Sequence, residues 1–313
     1  MTDKANFPGS SIPPNAESAA YAAVALPDDA RENLVATKAT CPFIGSAVAQ
    51  GVLAVRNIAE QPLASIEELR ALGNSGGGDL GDLLVLFASG NHAFMRGEFG
   101  KLDREVPIGL FSLEFPGSQG SHPGHSGILQ GDPEIPGSGR LSRPDFDRLT
   151  HYAHEGWIKR ADVGRFIAEN LLNDPKSKVF GLNVARMLAV DLLAFVKTVG
   201  PNWMGKLFGS ELESAKAHRE LEEKLTKLLG EDNLVGAAGE FGLLFAMLAN
   251  KPNAKEIDGE PAVAVDDLVA MFVDKRLPMG WETWKKSRLD WVKHTTALLI
   301  SAGKAYHDLK RVR

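Results

Sequence analysis

Apolar residues recur every three or four positions along most of the chain, and this spacing predicts amphipathic helices. Ser65 with Glu68, and Ser210 with Glu213, have the spacing of a capping box at a helix start. No segment alternates apolar and polar residues as a half-buried strand does, and no repeat period is present. The pattern predicts an all-α protein with helices over 16–26, 42–58, 65–72, 79–94, 143–154, 160–172, 179–199, 210–229, 235–248, 265–273 and 281–309.

The helical periodicity stops between residues 101 and 139. This stretch contains the pairs Pro116-Gly117, Pro123-Gly124 and Pro136-Gly137, which are typical of turns and loops. It predicts one long irregular loop, and loops of that length inside a domain are usually functional. Residues 1–14 are predicted to form a flexible N-terminal arm, because 7–14 are rich in Pro, Ser and Gly. Residues 15–313 are predicted to form a single multi-helix domain.

Composition excludes several classes of protein. The 313 residues are 44% hydrophobic and 24% charged, the ordinary balance of a globular protein, and the net charge of −5 argues against a nucleic-acid-binding surface. No apolar run is long enough to span a membrane, and the first residues do not have the pattern of a secretory signal. A single cysteine excludes an internal disulfide and cysteine-rich zinc or iron–sulfur sites. We therefore expect a cytoplasmic protein.

That cysteine, Cys41, stands in Thr40-Cys41-Pro42-Phe43, directly before the predicted helix over 42–58. Pro42 suits the first position of a helix, and the free N–H groups there stabilise an anion such as a thiolate. A thiolate on a helix end is also what a haem iron needs as its proximal ligand. The alternative is that Cys41 is a small buried hydrophobic residue, which is the commoner role of a free cysteine.

Three segments, in order, resemble the haem-thiolate peroxidases, the family of fungal chloroperoxidase and the unspecific peroxygenases. The first is the Cys41 segment. The second is Leu129-Gln130-Gly131-Asp132, followed by Arg140-Leu141-Ser142-Arg143-Pro144-Asp145. The third runs from Gly239-Glu240-Phe241-Gly242 to Phe272-Val273-Asp274-Lys275-Arg276-Leu277-Pro278 and Gly280-Trp281. The resemblance extends from Cys41 to Trp281.

The resemblance implies a role for each matching residue. Cys41 would be the axial ligand of haem iron, Glu240 the catalytic acid–base on the distal side, and Phe241 part of the haem pocket. Gln130, Asp132 and Arg140 would lie by the haem propionates. Taken from the residues alone, Glu240 could instead face water in the first turn of its helix, where a carboxylate stabilises the helix dipole.

The chain departs from the family pattern at four of these positions. Gln130 replaces a glutamate and Arg140 replaces a serine, which makes a divalent cation such as Mg²⁺ doubtful, because hard cations need several oxygen ligands. We expect Arg140 to pair with a propionate directly. Gly131 and Asn233 stand where the family has its distal histidine or arginine, which puts efficient activation of peroxide in question.

The resemblance implies a haem b enzyme that uses hydrogen peroxide to oxidise or oxygenate a small apolar organic substrate. A non-catalytic helical protein that binds or senses haem is one alternative. Another is a non-haem metalloprotein that uses His122, His125, His151 and His154, since imidazole binds zinc, copper and iron. The long predicted helix over 281–309 leaves a homo-oligomer open, although completing its own core is the commoner use of such a helix.

Overall fold

The structure is a computed structural model that describes residues 28–39, 41–58, 61–81, 83–84, 107–109, 141–173, 177, 179, 233–248 and 250–313. Helices dominate this part of the chain. Its α-helices are α1 Asp28–Lys38, α2 Pro42–Ala49, α3 Ile66–Gly73, α4 Arg143–Thr150, α5 Arg160–Asn173, α6 Asn233–Leu248, α7 Val265–Leu268 and α8 Arg288–Val312.

Two small antiparallel sheets accompany the helices. The first has the order β1-β2-β3, with β1 Arg56–Ile58, β2 Gln61–Ser65 and β3 Pro107–Gly109. The second has the order β4-β6-β5, with β4 Trp157–Lys159, β5 Lys255–Ile257 and β6 Glu260–Ala264. The prediction of an all-α protein is therefore right about the dominant structure and wrong about the absence of strands.

The β5–β6 hairpin has a clear local cause. Ile257 pairs with Glu260, so that Asp258 and Gly259 form a two-residue turn. Both have a positive φ, 55° and 75°, as a type I′ turn requires. Asp-Gly is one of the strongest sequence signals for such a turn.

Helix α6 packs against α8 and α5 in the centre of the described core. Gly242 of α6 allows a close approach, because a Cβ there would come within 2.9 Å of the backbone N and Cα of Thr295 in α8. The indole Nε1 of Trp291 donates to the carbonyl of Gly239 at 3.0 Å. Small residues and one buried hydrogen bond thus fix α6 against α8.

The segment between α7 and α8 is irregular and firmly held. A π-helical turn covers Val269–Val273, and the chain then turns until Ser287, whose side chain caps α8 by accepting from the amide of Leu289. Trp284 Nε1 donates to the carbonyl of Met247 at the end of α6 at 2.7 Å. These contacts tie the segment to α6.

Lys286 anchors the same segment to the turn after α3. Its side chain is completely buried and its Nζ donates to Ser75 Oγ at 2.7 Å and to the carbonyls of Trp281 and Trp284. The ammonium also lies 5.3 Å from the ring centroids of both tryptophans. Burial lowers the pKa of Lys286 to about 8. The hydrogen bonds and the two aromatic faces compensate for part of the cost of burying this charge.

Several predicted helices are confirmed, with shifted ends. The helices predicted over 65–72, 143–154, 160–172 and 235–248 correspond to α3, α4, α5 and α6. The first begins directly after Ser65, as the capping-box spacing indicated. The predictions over 16–26, 179–199, 210–229 and most of 79–94 lie outside the described residues, as does the N-terminal arm.

Other predictions are wrong in extent. The helix predicted over 42–58 ends at Ala49, because Gly51 takes the left-handed conformation with φ of 69° and strand β1 follows. The segment 265–273 changes from α-helix to a π-helical turn. The last helix begins at Arg288 rather than at 281, since residues 281–287 form the turns held by Lys286. Within the predicted loop 101–139, residues Pro107–Gly109 form strand β3 and pair with β2.

Candidate functional site

Cys41 is the residue that begins α2. Its φ and ψ of −89° and 115° are those of a helix cap, Pro42 takes the first helical position, and the carbonyl of Cys41 accepts from the amide of Gly45 at 2.8 Å. The prediction that a helix starts directly after this cysteine is confirmed. The residue is partly exposed and packs on the edge of the hydrophobic core.

The electrostatics of the thiol differ from the expectation. Burial raises the pKa of Cys41 to about 11, while the backbone amides of Ile44 and Phe43 at the helix start lower it by a smaller amount. Among the described residues, no hydrogen bond caps the helix through the Cys41 side chain. The helix N-terminus therefore does not by itself make Cys41 a thiolate at neutral pH. A positive centre bound to the sulfur would be needed to stabilise the anion.

Glu240 lies within electrostatic range of Cys41. Its carboxylate is among the groups that raise the pKa of the Cys41 thiol, after burial. The two residues are far apart in the sequence, and the fold places them within range of a weak electrostatic interaction. The sequence resemblance assigned the same two residues to one haem site.

Glu240 occupies an unusual position for an acidic residue. Helix α6 begins at Asn233, so Glu240 stands about two turns inside the helix rather than in its first turn. Its neighbours Gly239 and Phe241 are buried, and its own Oε1 is shielded from solvent. The alternative that placed Glu240 in the first turn of its helix is therefore wrong, while the residue as a whole is partly exposed.

The helix that carries Cys41 packs against the third motif. Ser46 Oγ lies 3.3 Å from the carbonyl of Met271, and the amide of Leu277 donates to Gln50 Oε1 at 2.9 Å. The ring of Phe43 meets that of Trp281 edge-on, with centroids 6.0 Å apart. The first and third segments of the resemblance thus lie together in the fold.

Phe241 is buried on α6 next to Glu240 in the sequence. Its ring meets Phe166 of α5 edge-on at a centroid distance of 6.3 Å. This contact belongs to the core between α5 and α6, and a place for Phe241 in a haem pocket stays a prediction.

The second motif is described only at its end. Gln130, Asp132 and Arg140 lie outside the described residues, and so does Gly131. Ser142 and Asp145 belong to the start of α4, where Ser142 Oγ donates to Asp145 Oδ2 at 2.8 Å and Arg148 pairs with Asp145 at 2.9 Å. Asp145 therefore has a structural role at the beginning of this helix.

The histidine site has little support in the part of the chain that the structure describes. His151 and His154 are both exposed, while His122 and His125 lie outside the described residues. No group of three or more His, Cys, Asp or Glu side chains that could hold a metal ion is present among the described residues.

A second group of polar side chains was not singled out in the sequence. The ring of His294 on α8 is buried against Phe245 of α6, and its Nδ1 lies 3.3 Å from Nη1 of Arg160. The spacing of residues in the sequence could not reveal this pair, because a lone histidine within an amphipathic helix looks like any other polar position. Both side chains line a cleft beside α6 and α8.

Comparison of the chain with protein-family models, with curated proteins and with solved structures finds no match. The resemblance to the haem-thiolate peroxidases therefore depends on the three motifs themselves. None of the helices in the described ranges is long and apolar enough to cross a membrane.

Proposed function

We propose that the protein is a haem-thiolate peroxidase or peroxygenase, which uses hydrogen peroxide to oxidise or oxygenate a small apolar organic substrate. The observation that carries the proposal is the electrostatic influence of Glu240 on the thiol of Cys41, since such chemistry requires both residues. They come from distant parts of the chain and influence each other electrostatically.

The donor groups fit haem. Cys41 offers a sulfur ligand that is partly exposed at the start of a helix, with the amides of Phe43 and Ile44 near it. Amides near a ligating sulfur adjust the electron density that it gives to iron. Because the pKa of this thiol is raised, iron would have to displace its proton, so haem binding through Cys41 would release a proton and strengthen as the pH rises.

Haem bound through Cys41 would supply the iron chemistry that cleaves the O–O bond of peroxide. The chain's own part in this reaction is the movement of a proton. The carboxylate of Glu240 would accept the proton from one oxygen of hydrogen peroxide and return it to the oxygen that leaves as water. Its Oε1 is shielded from solvent, which limits the competition of bulk water for that proton.

The apolar character of α6 favours an apolar substrate. After Glu240 the helix continues with apolar residues such as Phe241, Leu243 and Leu244, which are packed in the hydrophobic core. An oxidisable organic molecule beside Glu240 would meet an apolar environment and would be bound mainly by the hydrophobic effect.

The test is to load the full-length protein with haem and to record the spectrum of the reduced form with carbon monoxide. We expect a Soret band at a longer wavelength than that of a histidine-ligated haem, and its loss in Cys41→Ala. A band at the histidine position that is the same in Cys41→Ala would refute the assignment of the ligand.

Glu240→Gln is the matched variant for catalysis, because it keeps the size of the side chain and removes the carboxylate that could accept and release a proton. We expect it to keep the thiolate-type spectrum and to lose peroxide-driven oxidation by a factor of about 10²–10⁴, the usual contribution of a general acid–base. Normal turnover by Glu240→Gln would show that this residue is not the proton carrier. A haem-loaded wild type with the thiolate-type spectrum but no turnover would instead favour a haem-binding protein.

A further inference from the structure

A cleft of about 490 Å³ lies between the C-terminal end of α6, the β5–β6 hairpin and the first half of α8. Neither Cys41 nor Glu240 lines it. Phe245, which does, follows Glu240 by five residues and therefore points about 140° away from it around the helix. The cleft is a separate place on the molecule from the proposed haem site.

The wall of the cleft contains a histidine that is held neutral. Nη1 of Arg160 lies 3.3 Å from Nδ1 of His294, and a guanidinium can only donate, so Nδ1 accepts and the ring proton is on Nε2. Burial, together with a smaller effect of the charge of Arg160, lowers the pKa of His294 to about 4. The ring is therefore a neutral N–H donor over the physiological range.

Arg160 is itself fixed from the other side. Its Nη2 donates to Glu260 Oε2 of the hairpin at 2.9 Å. The chain Glu260–Arg160–His294 thus sets the position of the imidazole before any ligand arrives. Preorganised donors of this kind lose little entropy on binding.

Charged side chains of both signs line the cleft, namely Arg160, Lys255 and Lys293 with Glu256 and Asp290. The charge of Arg160 is balanced by Glu260, which leaves the two lysines as the cations able to respond to a ligand. The ammonium of Lys293 lies 3.7 Å from the carboxylate of Asp290, which is long for an ion pair, and the side chain of Lys293 is 58% exposed. This ion pair is therefore weak. Asp290 has a better donor in Asn250 Nδ2, at 3.0 Å. Lys293 is therefore able to turn toward an anion in the cleft.

The rest of the wall is apolar and partly aromatic. The rings of Phe245 and His294 are stacked, with centroids 5.4 Å apart and planes 30° from parallel. Leu248, Ala262 and Val263 continue this surface. A volume near 490 Å³ with an apolar wall and a few fixed polar groups is typical of a small-molecule site.

We propose that this cleft binds a small organic carboxylate with a flat apolar body. The carboxylate would accept hydrogen bonds from Lys293 and from Nε2–H of His294, and the body would lie on the wall formed by Phe245, Leu248 and Val263. The juxtaposition of a fixed neutral donor, a weakly paired ammonium and an aromatic wall carries the inference.

The experiment uses the full-length protein and three probes: benzoate, its neutral analogue benzamide, and acetate, which lacks the apolar body. Titration calorimetry should show saturable binding of benzoate that is about tenfold tighter than that of either other probe, the factor expected for one charge-assisted contact or one buried ring. Benzoate that does not saturate, or that binds no better than benzamide, would refute the proposal.

Lys293→Met is the variant to test, with Lys310→Met on the same helix as its matched control. Both side chains are on the exposed side of α8, and Lys310 lies by Tyr306, away from the cleft. We expect Lys293→Met to weaken benzoate binding about tenfold and Lys310→Met to leave it unchanged. Equal effects of the two variants would mean that benzoate responds only to the overall charge.

Two further measurements separate this proposal from the haem proposal. The NMR signals of the His294 ring should shift on addition of benzoate, and an unshifted ring would count against the cleft. Glu240→Gln should leave benzoate binding unchanged. Binding that falls in Glu240→Gln would place the probe at the other site and overturn the inference.

Discussion

Replacing Gly242 by alanine tests how closely α6 and α8 approach each other. In an isolated helix this change is favourable by about 1 kcal/mol, because glycine is a poor helix former. Here the added Cβ would meet Thr295 at 2.1 Å from Oγ1 and at 2.9 Å from both N and Cα. The hydroxyl can rotate away, but the two backbone atoms cannot, so the helices must separate.

The two effects can be compared in magnitude. Overpacking of a tight helix contact costs up to about 3 kcal/mol, and the gain in helix propensity offsets about 1 kcal/mol of it. We therefore expect Gly242→Ala to lower the free energy of unfolding by about 2 kcal/mol. Urea denaturation measures this as a lower midpoint with an unchanged slope.

Thr295→Ala provides the matched background for this measurement. Thr295 Oγ1 is buried and has no hydrogen-bond partner among the described residues, so its removal breaks no hydrogen bond there. In this background the cost of Gly242→Ala should decrease but remain, because the contacts to the backbone of residue 295 persist. A Gly242→Ala protein that is more stable than the wild type would show that the helices are not in close contact at this point.

Two further predictions concern buried titratable groups. The pKa of His294 is lowered to about 4 in the folded protein, while in the unfolded chain it is about 6.5. Between these two values only the unfolded chain binds the proton, so the folded protein loses stability as the pH falls from about 6.5 toward 4. From pH 7 to 4.5 the loss of unfolding free energy in urea denaturation should be about 2.5 kcal/mol larger in the wild type than in His294→Gln; equal losses in both proteins would refute this origin. Lys286→Met should cost about 2 kcal/mol, because the carbonyls of Trp281 and Trp284 lose a donor, and unchanged stability would show that the buried charge was no net benefit.

The sequence predicted the helices with a regular apolar spacing. In α4 and α5 the periodic residues are the buried ones, and in α6 almost every described residue is buried. It failed after α2, because Leu53 and Val55 continue the apolar spacing and are buried, yet they lie in an irregular segment. Buried positions are apolar in helical and in irregular segments alike, so the spacing of apolar residues alone could not show where this helix ends.

The strands were missed for a different reason. They are only three to five residues long, too short for alternation to be recognised. The Asp258-Gly259 turn was nevertheless a usable signal for the β5–β6 hairpin. The Trp281–Trp284 spacing suggested a helix, whereas both rings are placed around the ammonium of Lys286.

The candidate site could be predicted only in part. Pro42 was enough to place Cys41 at a helix start, because the restricted φ of proline acts locally. The raised pKa of that thiol depends on burial by residues from other parts of the chain, and periodicity does not report on such contacts. The proximity of Glu240 is likewise a property of the tertiary fold. The sequence could suggest it only through the resemblance.

The packing of α8 on α6 has a consequence for synthesis of the protein. Both Cys41 and Glu240 leave the ribosome well before the last helix does, yet the helix that carries the glutamate is held in position by Trp291, Thr295 and their neighbours in α8. A nascent chain that has not yet reached α8 therefore carries both side chains without the helix that packs on α6. A premature stop codon before α8 would remove that packing and leave α6 without these contacts.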